Sequence, residues 1–237
     1  MEGPPGTEVD FLSPIEEKRL SLMRFERRRE SFYLGRFAAK QILRMHPACA
    51  NLPATSITIA NRPEGGPYVQ IGYQEMDGSI SLSHRECEAA SAMVIHPGVT
   101  VGIDLELVEE RERCFREDFF TSQESIQIES LLEEEKAIAV TRTWSAKEAV
   151  LKALGKGLRV DSRSVTINQS HCTPSEDAWR IMDASGPALE NRSCRVWWQP
   201  WGHCVLTLAI AADKDFPNKF ERISLEHVPQ FDDARLN

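Results

Sequence analysis

Short strand-like runs bounded by turn residues alternate with longer helical runs, and the alternation happens twice along 237 residues. A helix is predicted from Ser13-Pro14, where Ser13 caps, Pro14 suits the first helical position and Glu16 completes a capping box. Leu20, Met23, Phe32, Leu34, Phe37, Ala38, Ile42 and Leu43 give it an apolar face as far as Pro47, with a kink or break expected near the arginine run. Strand-like runs follow at residues 56–60, 68–71, 80–83, 90–96 and 99–106, the first two separated by the turn signal Asn61-Arg62-Pro63-Glu64-Gly65-Gly66-Pro67. Residues 109–154 then turn helical, with Ser122 and Thr143 as expected starts and Gly155 or Gly157 as the stop. Runs at 164–168, 179–182, 194–199 and 203–210 are strand-like again, and 213–237 reads as a loosely attached tail. This order predicts an α+β protein with halves at 1–98 and 99–212 joined near His96–Thr100. No sequence identity between the halves is visible.

Composition narrows the function classes. The 28 Lys+Arg against 36 Asp+Glu leave a net charge of −8, the opposite of the basic surplus of a nonspecific nucleic-acid binder. No window approaches the roughly 18–20 apolar residues of a membrane span. The first ten residues lack a basic-then-apolar export signal. Six scattered cysteines (Cys49, Cys87, Cys114, Cys172, Cys194 and Cys204) show no metal-ligand spacing and suit a reducing compartment. The expectation is a cytoplasmic protein with no nucleic-acid or membrane partner. One local exception is basic: Arg24, Arg27, Arg28, Arg29, Arg36, Lys40 and Arg44 share a single stretch. His46, His96, His171, His203 and His227 have no supporting pattern, and Trp197, Trp198 and Trp201 are expected to pack a hairpin turning at Pro200 and Gly202.

Two segments carry chemistry. In Val101-Gly102-Ile103-Asp104-Leu105-Glu106 an apolar strand leads into carboxylates at i and i+2, which share a face. In Trp144-Ser145-Ala146-Lys147-Glu148-Ala149-Val150-Leu151-Lys152, helical spacing puts Trp144, Glu148 and Lys152 on one side. Alone, either would read as a solvated strand end or a surface helix. Together, three carboxylates with adjacent lysines suit a hard divalent cation such as Mg²⁺ acting on a phosphate ester or anhydride.

The two segments, Asp104 and Trp144 forty residues apart, resemble the signature of the 4′-phosphopantetheinyl transferase superfamily. Ser81-Leu82-Ser83-His84 is similar to its Ser-x-Ser-His element. Arg28 and Arg36 resemble its N-terminal coenzyme A-binding helix, and Gly65-Gly66-Pro67-Tyr68 its Gly-Lys-Pro element. Residues 118–124 resemble the opening of its following helix. The resemblance runs in order from about residue 13 to 210. By length it points to the surfactin-synthetase-activating type, whose two similar α+β halves pack as a pseudo-two-fold dimer within one monomeric chain.

The resemblance implies transfer of the phosphopantetheine arm of coenzyme A to a serine of apo acyl or peptidyl carrier proteins, releasing adenosine 3′,5′-bisphosphate. It implies Asp104, Glu106 and Glu148 as ligands of Mg²⁺ and Glu148, or a water it orients, as the base. Lys152 would balance pyrophosphate charge, with Lys147 as a second phosphate contact. Arg28, Arg36 and His84 would hold the 3′-phosphate and adenine end, with a hydrogen bond from Ser83. Gly66 replaces the lysine of Gly-Lys-Pro, and Arg62 or a lysine elsewhere is expected to substitute. Two other functions fit the same residues: a Mg²⁺-dependent hydrolase acting on another pyrophosphate, and a carrier-docking module without turnover.

Overall fold

The computed structural model describes residues 11–86, 88–168, 179–213 and 224–228. Cys87, Cys172 and His171 lie outside them. Ser13 and Glu16 form the anticipated capping box at the start of α1 (Pro14–Ser21). The long predicted helix breaks after it. Phe25 is extended (φ −97°, ψ 125°), and its carbonyl accepts from the N–H groups of Arg28 and Arg29, starting a second helix, α2 (Glu26–Arg44).

Strands β1 (Ile57–Asn61), β2 (Pro67–Ile71) and β3 (Gln74–Glu75) form a small antiparallel sheet. The turn between the first two is closed by hydrogen bonds between Arg62 and residues 65 and 66, and needs Gly65 at φ +107°. Next, β4 (Ser79–Arg85) pairs antiparallel with β5 (Glu88–Val94), and α2 packs over both.

The second half opens with β6 (Val99–Leu107), followed by α3 (Arg113–Phe119), α4 (Ser122–Glu129) and α5 (Glu133–Ala153). Thr143 starts nothing. It lies within α5 and donates its hydroxyl to the Ala139 carbonyl at 2.8 Å. The helix ends as anticipated, with Gly155 at φ +67° and the Lys156 N–H returning to the Leu151 carbonyl. Strands β7 (Thr166–Asn168), β8 (Arg180–Ser185), β9 (Ser193–Trp201) and β10 (Cys204–Ala212) complete a five-stranded sheet in the order β6-β10-β9-β8-β7. The hairpin turns at Gly202, while Pro200 sits inside β9, beyond its pairing with β8, where no N–H is needed. Residues 213–237 are not wholly a loose tail: β11 (Ser224–Val228) pairs antiparallel with β5 in the first half. Among the described residues no helix is long and apolar enough to cross a membrane.

Two buried ion pairs occupy matching places in the halves. Glu16, capping α1, accepts from the Ile59 N–H of β1 at 2.8 Å and from Lys40 of α2 at 2.6 Å. Glu124, in the Thr121 capping box of α4, accepts from the Ile167 N–H of β7 at 2.7 Å and from Lys147 of α5 at 2.8 Å. Each pair ties two helices to a sheet. Each lysine also donates to two backbone carbonyls, which satisfies a charge held out of water.

The halves meet where β4 lies beside β6. Here no backbone ladder forms. The hydroxyls of Ser79, Ser81 and Ser83 accept instead from the N–H groups of Val101, Ile103 and Leu105, at 3.1, 3.0 and 3.1 Å. Behind β6, α5 approaches so closely that a Cβ on Gly102 would meet the Ala149 carbonyl at 1.9 Å. The small residues Ala146, Ala149 and Ala153 of α5 belong to the core cluster there, so glycine and alanine together set the helix-to-strand distance. Gly102→Ala is expected to destabilise the fold by at least about 3 kcal/mol in urea denaturation. Gly66→Ala, with open space around it, should stay within about 0.5 kcal/mol of the parent.

Candidate active site

The close packing of α5 on β6 brings Glu148 and Lys152 over Asp104 and Glu106. Asp104 is buried, and its Oδ1 accepts from Lys152 Nζ at 2.7 Å and from Ser83 Oγ at 3.0 Å. Lys152 also donates to the Ile103 carbonyl at 3.0 Å. Glu106 accepts from Trp144 Nε1 at 3.2 Å and from Arg111 at 3.2 Å, with Arg85 at 3.9 Å. Burial pushes the Glu106 carboxyl up, and the neighbouring Asp104 adds to the rise. Burial likewise pushes Glu148 up to about 7; Lys152 opposes that rise, while Asp104 and Glu106 reinforce it.

Two buried oxygens here, Asp104 Oδ2 and Glu148 Oε1, have no hydrogen-bond partner. Buried polar atoms are seldom left so. Among the described residues no three His, Cys, Asp or Glu side chains already converge on one metal position. Lys152 and Arg111 instead neutralise Asp104 and Glu106. The donor set is nonetheless all carboxylate oxygen, the orphaned atoms come from the two elements that face each other, and a hard divalent cation suits both facts.

Beside the carboxylates a cavity of about 1020 Å³ opens between the halves. Arg19, Arg27, Arg28, Arg36 and Arg62 line it from the first half, and Lys152, Arg159 and Arg192 from the second, with Glu64 as the acid on its wall. In a chain of net charge −8 this wall concentrates positive charge, which suits a multiply charged anion. His84 is exposed on the wall. Desolvation there pushes its imidazole below the ordinary value, as do Lys152 and Arg36.

Lys152, His84, Arg28 and Arg36 line the pocket, and Asp104, Glu106 and Glu148 cluster beside it, joined to its wall through the Lys152–Asp104 pair. Arg36 also serves the fold. It stacks on Phe32 at 4.0 Å and donates to the Ile59 carbonyl, and burial pushes its guanidinium down to about 10. Two expected ligand contacts fall elsewhere. Lys147, adjacent to Glu148, points to the opposite side of α5 and is fully buried against Glu124, so it cannot reach a phosphate in the pocket. Ser83 is buried with its hydroxyl engaged by Asp104, Leu105 and Lys152.

Sequence reading missed Trp144 and Arg111 as holders of Glu106, and Arg19, Arg27, Arg159 and Arg192 as pocket wall. The i, i+4 relation of Trp144 to Glu148 was the available signal for the first. Arg62 does line the cavity, yet it is ion-paired with Glu75 and lies 4.9 Å from the Tyr68 ring.

Residues 100–189 match the family model described as the 4′-phosphopantetheinyl transferase superfamily. That segment holds Asp104, Glu106, Glu148 and Lys152, and over it the chain is similar to the superfamily. A relative, the 4′-phosphopantetheinyl transferase gsp of Aneurinibacillus migulanus, is 28% identical over 120 residues, 51% of this chain and 47% of that one. The matched region thus spans about half the length of this curated relative. The crystal structure of Thermotoga maritima holo-[acyl-carrier-protein] synthase aligns at 20% identity and a TM-score of 0.39, covering 48% of this chain and 63% of that chain.

An ion pair removed on one side leaves a buried charge uncompensated. Lys147→Met is therefore expected to cost about 3–5 kcal/mol in chemical denaturation, while the folded fraction keeps its affinity for the pocket ligand. Glu148 should behave in the opposite way. The unfolded chain ionises near 4.5 and the folded chain holds the proton to about 7, so stability falls as pH rises through that window and stays lower above it. Glu148→Gln removes this loss. In EDTA its melting temperature should exceed the parent's above pH 7, and the difference should close towards pH 4.5.

Proposed function

We propose that this protein transfers the 4′-phosphopantetheine moiety of coenzyme A to a serine of apo acyl or peptidyl carrier proteins. The observation that carries this reading is the junction of two unlike surfaces between the halves. Two orphaned carboxylate oxygens lie beside a pocket walled by arginines from both sides. The superfamily match over residues 100–189 and the family's own chemistry support the choice of substrate.

In this reading the coenzyme's nucleotide end occupies the pocket, against Arg28, Arg36 and His84. Its pyrophosphate extends towards Lys152. Asp104, Glu106 and Glu148 would hold Mg²⁺, which would supply stabilisation of the charge that develops on the pyrophosphate. The carrier serine oxygen forms a bond to the phosphorus bearing the pantetheine arm. The bond from that phosphorus to the bridging oxygen breaks, and adenosine 3′,5′-bisphosphate leaves. Glu148, or a water held by it, takes the serine proton. Lys152 turns from Asp104 towards phosphate oxygens as the coenzyme arrives. Ser83 and Trp144 keep Asp104 and Glu106 aimed.

The matching Glu16–Lys40 and Glu124–Lys147 pairs, and the return of β11 to β5, support two halves related by a pseudo-two-fold. The pocket would then need only one chain, so we assign a monomer acting in the cytoplasm.

Intact-protein mass spectrometry of an apo carrier incubated with the protein, coenzyme A and Mg²⁺ tests the reading. A mass gain of one phosphopantetheine, abolished by EDTA and by Asp104→Ala or Glu148→Ala, is the expected result. Cleavage of coenzyme A with no gain on any carrier would favour the hydrolase instead. Bound coenzyme A with neither cleavage nor gain would favour the docking module. Arg28→Ala should raise the KM for coenzyme A several-fold, and Gly66→Lys, which restores the family's lysine at an open position, should lower it.

A further inference from the structure

The pocket wall contributed by the second half poses an electrostatic problem. Ala153, Leu154 and Gly155 line it, and they are the end of α5. A helix C-terminus exposes carbonyl oxygens with partial negative charge, which repel an anion. The chain covers that end with Arg159, on a single 3₁₀ turn (Gly157–Arg159) just past it. Arg159 Nη2 donates to the Gly155 carbonyl at 2.9 Å and Nε to the Lys156 carbonyl at 3.2 Å.

Charge matching then singles this arginine out. On the same wall Lys152 is paired with Asp104 at 2.7 Å and Arg192 with Asp213 at 2.8 Å. Two residues from Arg159, Asp161 is engaged by Arg163 at 2.8 Å. Among the described residues no carboxylate pairs with Arg159, and its guanidinium keeps N–H groups beyond those that hold the helix end. Across the cavity Arg19, Arg27 and Arg28 are likewise without an acidic partner among the described residues. Glu148 lies five residues before Ala153, the last residue of α5, so about 7.5 Å of helix rise separates Glu148 from the end that Arg159 covers.

Building on the proposed reaction, we infer that Arg159 is a specificity-determining contact for the nucleotide's phosphate monoester, closing from the second half a clamp whose other jaw is Arg27 and Arg28. It thereby supplies the cation that Gly66 lacks. The anion is a nucleoside bisphosphate whose second phosphate lies away from the pyrophosphate.

Titration calorimetry with adenosine 3′,5′-bisphosphate and with adenosine 5′-monophosphate tests this on the full chain. The parent should prefer the bisphosphate. Arg159→Ala should weaken bisphosphate binding about tenfold or more while leaving monophosphate binding within about twofold, and Arg159→Lys should recover part of the loss. Arg159→Gln can still donate to the helix end without the charge, so a loss of preference in that variant separates the phosphate contact from a capping role. Equal weakening of both ligands, or an unchanged preference, would overturn the assignment with the transferase reading intact. A parent chain that binds neither nucleotide would overturn the nucleotide pocket and this inference together.

Discussion

The seam between β4 and β6 depends on hydroxyl oxygens standing in for backbone carbonyls. Three serines at every second position of β4 accept the N–H groups of β6, so two sheets are joined without a continuous ladder. The arrangement leaves the Ile103 carbonyl for Lys152, and it leaves Ser83 with a proton to donate to Asp104. The same contact that binds the halves thus aims the carboxylate and the lysine at their shared boundary. Gly102 sets the depth at which α5 meets that strand, and with it the reach of Glu148.

The grouping of the site's side chains was legible where residue type and period suffice. Carboxylates at i and i+2 on a strand, and Glu148 with Lys152 at i and i+4 on a helix, fix the face each occupies before any contact is known. Lys147 shows the limit of reading a motif as a unit. One residue of helix rotates a side chain by about 100°, so a lysine beside a pocket residue belongs to the other side of α5. Ser83 shows a second limit, because which oxygen a hydroxyl serves is decided by a strand from the other half. The edge strand in the last residues was invisible for a related reason: a five-residue strand pairing with β5 leaves little periodic signal of its own.

An internal correspondence also became visible only through contacts. Ser13, Glu16 and Lys40 recur as Thr121, Glu124 and Lys147 at the same spacing to within one residue, with Phe37-Ala38-Ala39-Lys40 matching Trp144-Ser145-Ala146-Lys147. Buried polar pairs tolerate little substitution around them, while the apolar positions between them drift freely. In that alignment Gln41 stands where the second half has Glu148. The first half keeps the scaffold and lacks that carboxylate, while its α2 supplies arginines to the pocket.

Hydrogen–deuterium exchange with and without coenzyme A tests most directly whether the boundary between the halves is the ligand site. The account predicts protection in both halves at once: in residues 26–36 and 79–85 of the first, and in 100–107 and 152–159 of the second. Protection confined to one half, or an unchanged boundary in the presence of bound coenzyme, would contradict it.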